Sequence, residues 1–271
     1  MTSTLAGSVV SDNNTRVSRI LSLCVSLVNV DGDNLSVQEE LFAELDGLLD
    51  VADNAEIEAV LSSPTFMSVK NTLHSLRASY EYAREVDLAD DIIAENNAAV
   101  GETFRSHDWY DKALDFETNA LAPYALKSIL FVGSGPFPTS PMAFLRNNPG
   151  ATVTCMDRSA DACKQAEQVS EIYGLPDLKI RNTDGASITD FKEFDCVIVG
   201  LVVGSNDEKK QPIVDHFLKH VPDDTLLCFR SATGSGRIIY PSVDLDVLGG
   251  LDVEVLEGPP HKSFTLILVK R

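Results

Sequence analysis

The stretch from Ile129 to Leu145, ILFVGSGPFPTSPMAFL, constrains this chain more than any other. A short apolar run ends on two glycines flanking a serine, and prolines follow where a helix should begin. This pattern predicts a β-strand that stops abruptly against a ligand. Gly133 and Gly135 have no side chains, so the backbone can turn tightly and come close to a nucleotide, and the following helix offers unpaired N–H groups at its start. After a second apolar stretch, Ala151 to Cys155, comes Asp157, where Rossmann-type folds set a carboxylate against ribose hydroxyls. The dinucleotide fingerprint has a third glycine behind the pyrophosphate, but here that stretch reads Pro136-Phe137-Pro138. S-adenosylmethionine wants the ribose carboxylate and no pyrophosphate cradle, and it is the ligand this pattern selects.

The chain has 271 residues, 44% of them hydrophobic, enough to bury a full core in one large or two modest domains. No run of about 18 apolar residues exists to span a bilayer, and the opening MTSTLAGSVVSDNN lacks the basic start and apolar centre of a secretory signal, so the cytosol is the expected compartment. Five dispersed cysteines with no CxxC pair read as reduced core residues. The net charge of −19 divides unevenly: residues 1–127 carry 8 basic and 22 acidic groups, residues 128–271 carry 14 and 19. Nucleic acid is therefore not an expected partner, since phosphate binding needs a basic face, and with no spanning run a membrane is not expected either.

Two textures divide the chain. From Thr15 to Glu117 the apolar positions recur at helical spacing, as in Val17, Ile20, Leu21, Cys24, Val25 and Val28. Ser36 with Glu39 before Leu41 reads as a capping box, and a long helix is expected from Ser68 to about Ala99. After Pro123 come short β-rich runs separated by helix-like segments: 129–132, 152–156, 178–181, 196–199, 226–230, 253–256 and 264–269. Their alternation predicts a mostly parallel sheet covered on both faces, with the last two runs joined by a GPPHKS turn as an antiparallel hairpin at one edge. The expected division is a helical bundle over 1–127 and an α/β Rossmann-like domain over 128–271.

LFVGSGPFPTS, MDRS with Asp157, NTDGASI with Asp184, VIVGLVVG and FRSATGSGRIIYPSV together resemble nicotianamine synthase and its relatives that make opine-type metallophores. The resemblance covers most of residues 66–271 and is strongest at RSATGSGRIIYP. It implies a methyltransferase-type Rossmann sheet with a helical N-terminal segment. It also implies S-adenosylmethionine as co-substrate, without a metal: such enzymes transfer its 3-amino-3-carboxypropyl arm to an amine and release methylthioadenosine. A glutamate and a tyrosine of the family's helical region hold and deprotonate that amine, and their best matches are Glu85 and Tyr110. Glu81 and Asp87 lie close to Glu85 in sequence, and the aromatic-rich motif around Tyr110 is degraded to Asp108-Trp109.

By the same resemblance, Gly133, Ser134 and Gly135 face the methionine end of the ligand, Asp157 accepts from both ribose hydroxyls, and Asp184 accepts from the adenine amino group. Leu201 and Val202 line the site from below. Asp184 could equally make an Asx-turn before Gly185. Arg230 and Arg237 can each pair bidentately with an α-carboxylate, and Tyr240 is a further polar handle. The bland alternative for Arg230 is a salt bridge to an acidic side chain of the first half. His216 and His220 have zinc-pair spacing, but with no third ligand in sequence they read as a solvated helix face. The expected partner is a small amino-acid substrate, with room for a homodimer. Three other readings stay open: cyclisation of S-adenosylmethionine to azetidine-2-carboxylate, methyl transfer, and a non-catalytic binding module.

Overall fold

The structure is a computed structural model that describes the backbone of residues 3–31, 34–104, 108–258 and 264–270, and their side chains from residue 15 on with 103–111 excepted. The β-rich runs become β1 (Ser128–Val132), β2 (Thr152–Asp157), β3 (Leu178–Asn182), β4 (Cys196–Val199), β5 (Leu226–Ala232), β6 (Asp252–Glu257) and β7 (Phe264–Lys270). They form one sheet in the order β3-β2-β1-β4-β5-β7-β6. The first five strands pair in parallel, while β7 runs antiparallel to both β5 and β6. The hairpin therefore sits at one end of the sheet as expected, with β7 slipped between β5 and β6. The segment 259–263, most of the GPPHKS turn, lies outside the described residues.

Period-two alternation sends successive strand residues to opposite faces, and both faces are apolar. On one face Ile129, Phe131, Val153, Cys155, Ile198 and Cys228 form a continuous core. Helix α7 (Thr139–Asn147) and helix α8 (Ala160–Ile172) cover it. On the other, Leu130, Val132, Val197, Val199 and Phe229 pack with Val214 and Phe217 of α9 (Asp207–His220). All five cysteines are buried and free.

The acidic first half forms α1 (Ser3–Val28), α2 (Leu35–Val51), α3 (Asn54–Leu61), α4 (Pro64–Glu95), α5 (Ala99–Phe104) and α6 (Asp108–Leu121). The expected capping box at Ser36 is not there. Asn34 caps α2 instead, its side chain accepting from the Val37 N–H, and this places Ser36 inside the first turn. A capping box does occur at α3, between Asp53 and Glu56. The long helix begins earlier than expected because Pro64 suits the first helical position, and ends at Asn96, whose left-handed φ of 46° returns its N–H to Ile92 and Ile93.

Helix α4 belongs to both halves. Its N-terminal part, with Phe66 and Leu73, packs into the bundle core beside Ile20, Leu27, Phe42 and Leu45. Its C-terminal part, with Leu88, Ala89 and Ile92, packs into the sheet core, as do Ala113 and Leu121 of α6. In the opposite direction, Ile238 and Ile239 of the loop after β5 leave the sheet and are buried in the bundle. The RSATGSGRIIYP motif thus acts as a peg that docks one half into the other.

Candidate active site

The site grows from the C-terminal end of β1. Gly133 has φ 76° and Gly135 φ 66°, left-handed values that favour glycine. The N–H groups of Gly133 and Ser134 both donate to the Met156 carbonyl, at 2.8 and 3.2 Å, stapling the turn to β2. The next N–H, of Gly135, donates to Asp157 Oδ2 at 3.0 Å, and Asp157 Oδ1 accepts from the Ser159 N–H at 2.9 Å. Asp157 is half-buried, and each carboxylate oxygen keeps lone-pair capacity for a further donor.

Space at the two glycines is tight for different reasons. A Cβ on Gly133 would lie 2.2 Å from Val203 Cγ2, in the turn that follows β4. A Cβ on Gly135 would lie 2.3 Å from Oε2 of Glu85. Helix α4 therefore brings one of its carboxyl groups directly onto the glycine turn. Residue by residue the same helix is tied across the strand ends: Asn71 donates to Glu208, Asn206 donates to Ser75, Tyr82 meets Ser159 at 3.1 Å, and Asp90 accepts from Gln165.

The Glu85 carboxyl sits deep among other atoms although the residue as a whole keeps some exposed surface. Burial pushes it up from the usual 4.5 to about 8, the negative charges of Glu81 and Asp157 push the same way, and the Arg230 guanidinium opposes them. Arg230, at the end of β5, stacks 4.8 Å over the Phe131 ring and holds Glu117 of α6 with a two-pronged ion pair, Nε to Oε1 at 2.8 Å and Nη2 to Oε2. This is the ion pair to the first half that the sequence offered as the alternative. A cavity lined by Glu117, Thr118, Phe131, Ser140, Pro141 and Phe144 lies beside it.

The other expected residues fall as follows. Asp184 makes the Asx-turn, accepting from the Ala186 N–H at 3.0 Å. Its exposed carboxylate lies beside Gly185, which approaches Val132 at the end of β1. Leu201 and Val202 are half-buried in the turn after β4. Tyr240 donates to Glu81, whereas Arg237 points away to an exposed pair with Glu58 at 2.9 Å. The side chain of Tyr110, in α6, lies outside the described residues. His216 and His220 each meet a backbone carbonyl, of Ile188 and His216 respectively. Among the described residues no group of three or more His, Cys, Asp or Glu is placed to hold a metal, and no helix is long and apolar enough to cross a membrane.

Sequence reasoning missed Lys210. Its fully buried ammonium donates to the carbonyls of Gly200, Leu201 and Val203 at 3.4, 2.8 and 3.3 Å, tying down the turn that meets Gly133. Burial pulls it down to about 7. Nothing in NDEKKQPIV separates Lys210 from Lys209. It also missed Glu117 and Arg77; for Glu117 the signal was present, two helical turns beyond Tyr110.

A doubly covered, mostly parallel sheet with an antiparallel final pair, and a glycine turn braced by a carboxylate on the next strand, define a methyltransferase-type Rossmann protein. The solved structures of MtNAS share this fold. The complex with MTA and tNA superposes with a TM-score of 0.78 at 20% identity, covering 95% of this chain and 97% of that one. A glutamate-to-glutamine variant of MtNAS in complex with S-adenosylmethionine gives 0.77, also at 20%, over 94% and 97%. Nicotianamine synthase 3 of Oryza sativa subsp. indica is 31% identical over 151 residues, 53% of this chain and 43% of the rice protein. Nicotianamine synthase 9 of Hordeum vulgare is 26% identical over 242 residues, 85% and 71%. The chain thus spans less than half the length of the rice relative and about half that of several others it matches. The family model described as nicotianamine synthase protein matches residues 10–271, and the chain belongs to that family.

Proposed function

We propose that this protein transfers the 3-amino-3-carboxypropyl arm of S-adenosylmethionine to the amine of a small amino acid and releases methylthioadenosine, as a step in making a nicotianamine-like or opine-type metallophore. The observation that carries the reading is the contact of Glu85 with Gly135, which sets a carboxyl of raised proton affinity against the turn expected to hold the methionine end of the donor.

The residues fit such a co-substrate. In this reading the Gly133–Gly135 backbone takes the amino-acid arm, Asp157 accepts from the ribose hydroxyls, Asp184 accepts from the adenine amino group, and Leu201 and Val202 form the floor. Arg230 faces the donor's carboxylate end from β5, Tyr240 lies on the acceptor side, and Tyr110 takes its role with the acceptor amine from the family resemblance. Arg237, paired with Glu58 at the surface, contributes least.

Chemically, the acceptor nitrogen forms a bond to the γ-carbon as the carbon–sulfur bond breaks. The sulfonium charge is lost to a neutral thioether, and the proton of the amine must go to a base. A carboxyl titrating near 8 suits that task, because an aliphatic ammonium titrates at about 8–10 and an ordinary carboxylate near 4.3 is too weak a base to draw its proton efficiently. Turnover is therefore expected to rise with pH through about 8, as Glu85 ionises. Substituting Glu85→Gln should lower turnover about a hundredfold or more while leaving S-adenosylmethionine affinity within a few-fold, measured by calorimetry beside steady-state kinetics. Unchanged kinetics would remove Glu85 from the mechanism.

A further inference from the structure

Arg77, Glu81 and Glu85 lie at successive i, i+4 positions on α4 and so share one face of the helix. That face meets two loops of the sheet half, Glu81 at Tyr240 after β5 and Glu85 at Gly135 after β1. Glu81 is tightly held. Arg77 Nε donates to its Oε1 at 2.8 Å, and the Tyr240 hydroxyl donates to the same oxygen.

Arg77 is itself immobilised. It is 7% exposed, lies 4.8 Å over the Phe42 ring and 5.4 Å over that of Tyr240, and donates Nη1 to Asp46 at 3.3 Å. Its Nε and Nη2 both donate to the Tyr240 oxygen, at 3.2 and 3.1 Å, which turns the phenol proton toward Glu81. The cation of this cluster is thus engaged by Glu81, Asp46 and Tyr240. Around Glu85 the charged groups are Glu81 on its own helix, Asp157 from β2 and Arg230 from β5, and the last is engaged by Glu117 of α6.

We propose that Glu81, locked one helical turn before Glu85 by Arg77 and Tyr240, is a positioning residue that sets the proton affinity of the Glu85 carboxyl. A fixed negative charge at that distance, in a partly desolvated site, disfavours a second one. The lock keeps Glu81 from swinging into solvent, where its effect would be screened. It couples the base of the helical half to the RSATGSGRIIYP loop of the sheet half. The use of this tuning for amine deprotonation rests on the function proposed above, but the electrostatic coupling itself does not.

The test is carbon-13 NMR of protein labelled at the glutamate carboxyl carbons, with Glu85 assigned as the resonance that disappears in Glu85→Gln. In the native protein its titration midpoint is expected near 8. In Glu81→Gln it should fall by at least about half a unit. In Glu81→Asp, where the charge is retained but retracted, it should fall by less. Should Glu81→Gln fail to fold, Glu81→Asp carries the test alone. An unchanged Glu85 midpoint in the folded variants overturns the inference. The acid limb of the turnover profile, measured in parallel, should move to lower pH with the NMR midpoint. A midpoint that shifts without moving the acid limb would leave this coupling standing and remove Glu85 as the base.

Discussion

The sheet half and the helical half of this molecule build their shares of the site by different means. In the sheet half the glycine turn is a local object: two glycines, two backbone–backbone hydrogen bonds and a third to the carboxylate at the end of the next strand. In the helical half the contacts that complete the site are long-range. Glu81 finds Tyr240 across 159 positions, and Glu117 finds Arg230 across 113. A site made of backbone can be written into a short motif, whereas one made of side chains on separate elements exists only after the two halves dock. Glu85 over Gly135 is where the two meet.

Three perturbations break that comparison at different points. The largest effect is expected from Gly135→Ala, which adds a Cβ 2.3 Å from Glu85 Oε2 and forces alanine into φ 66°. The carboxyl has to move, and a displacement of about 1 Å at a reacting group is worth roughly a hundredfold. Turnover should fall by about that factor, and an active Gly135→Ala enzyme would show that the contact is incidental.

Next comes Ile238→Ala, which empties a fully buried position where the sheet-half loop plugs the bundle. Urea denaturation should register a loss of about 2–4 kcal/mol. A loss below about 1 kcal/mol would mean that the peg is not what joins the halves.

The third perturbation concerns stability and pH. Glu85 is raised in the folded protein, so between 4.5 and about 8 the folded state binds more protons than the unfolded one, and native stability falls as pH rises through that window. Glu85→Gln removes this dependence. The melting temperature of the variant should gain on the native protein from pH 5 to 8 and hold level above, and a constant difference across that range would contradict the buried state of the carboxyl.

The sheet was legible in the sequence because each strand is a compact apolar run between turn residues, and all seven were anticipated to within two residues at their ends. The insertion of β7 between β5 and β6 was not, since hairpin signals give pairing but not which partner lies inside. Among the caps, Ser36 misled because Asn34, two residues earlier, offered an equally good acceptor and won. The RSATGSGRIIYP loop was singled out for its arginines and tyrosine, yet Ile238 and Ile239 carry its packing role, and apolar residues in a loop announce no destination. Arg77 and Lys210 could not be found at all, because a buried cation looks like a surface one until its carbonyl or carboxylate partners are in place.

The central proposal is that the sheet half holds the donor, that the γ-carbon of its aminocarboxypropyl arm is the carbon attacked, and that Glu85 from the helical half takes the amine's proton. Product analysis tests it most directly. Incubated with S-adenosylmethionine, alone and with histidine or another small amino acid, the protein should release methylthioadenosine and an amino-acid product enlarged by the aminocarboxypropyl arm. Release of S-adenosylhomocysteine in its place would mean that the methyl carbon is attacked, and would contradict the account.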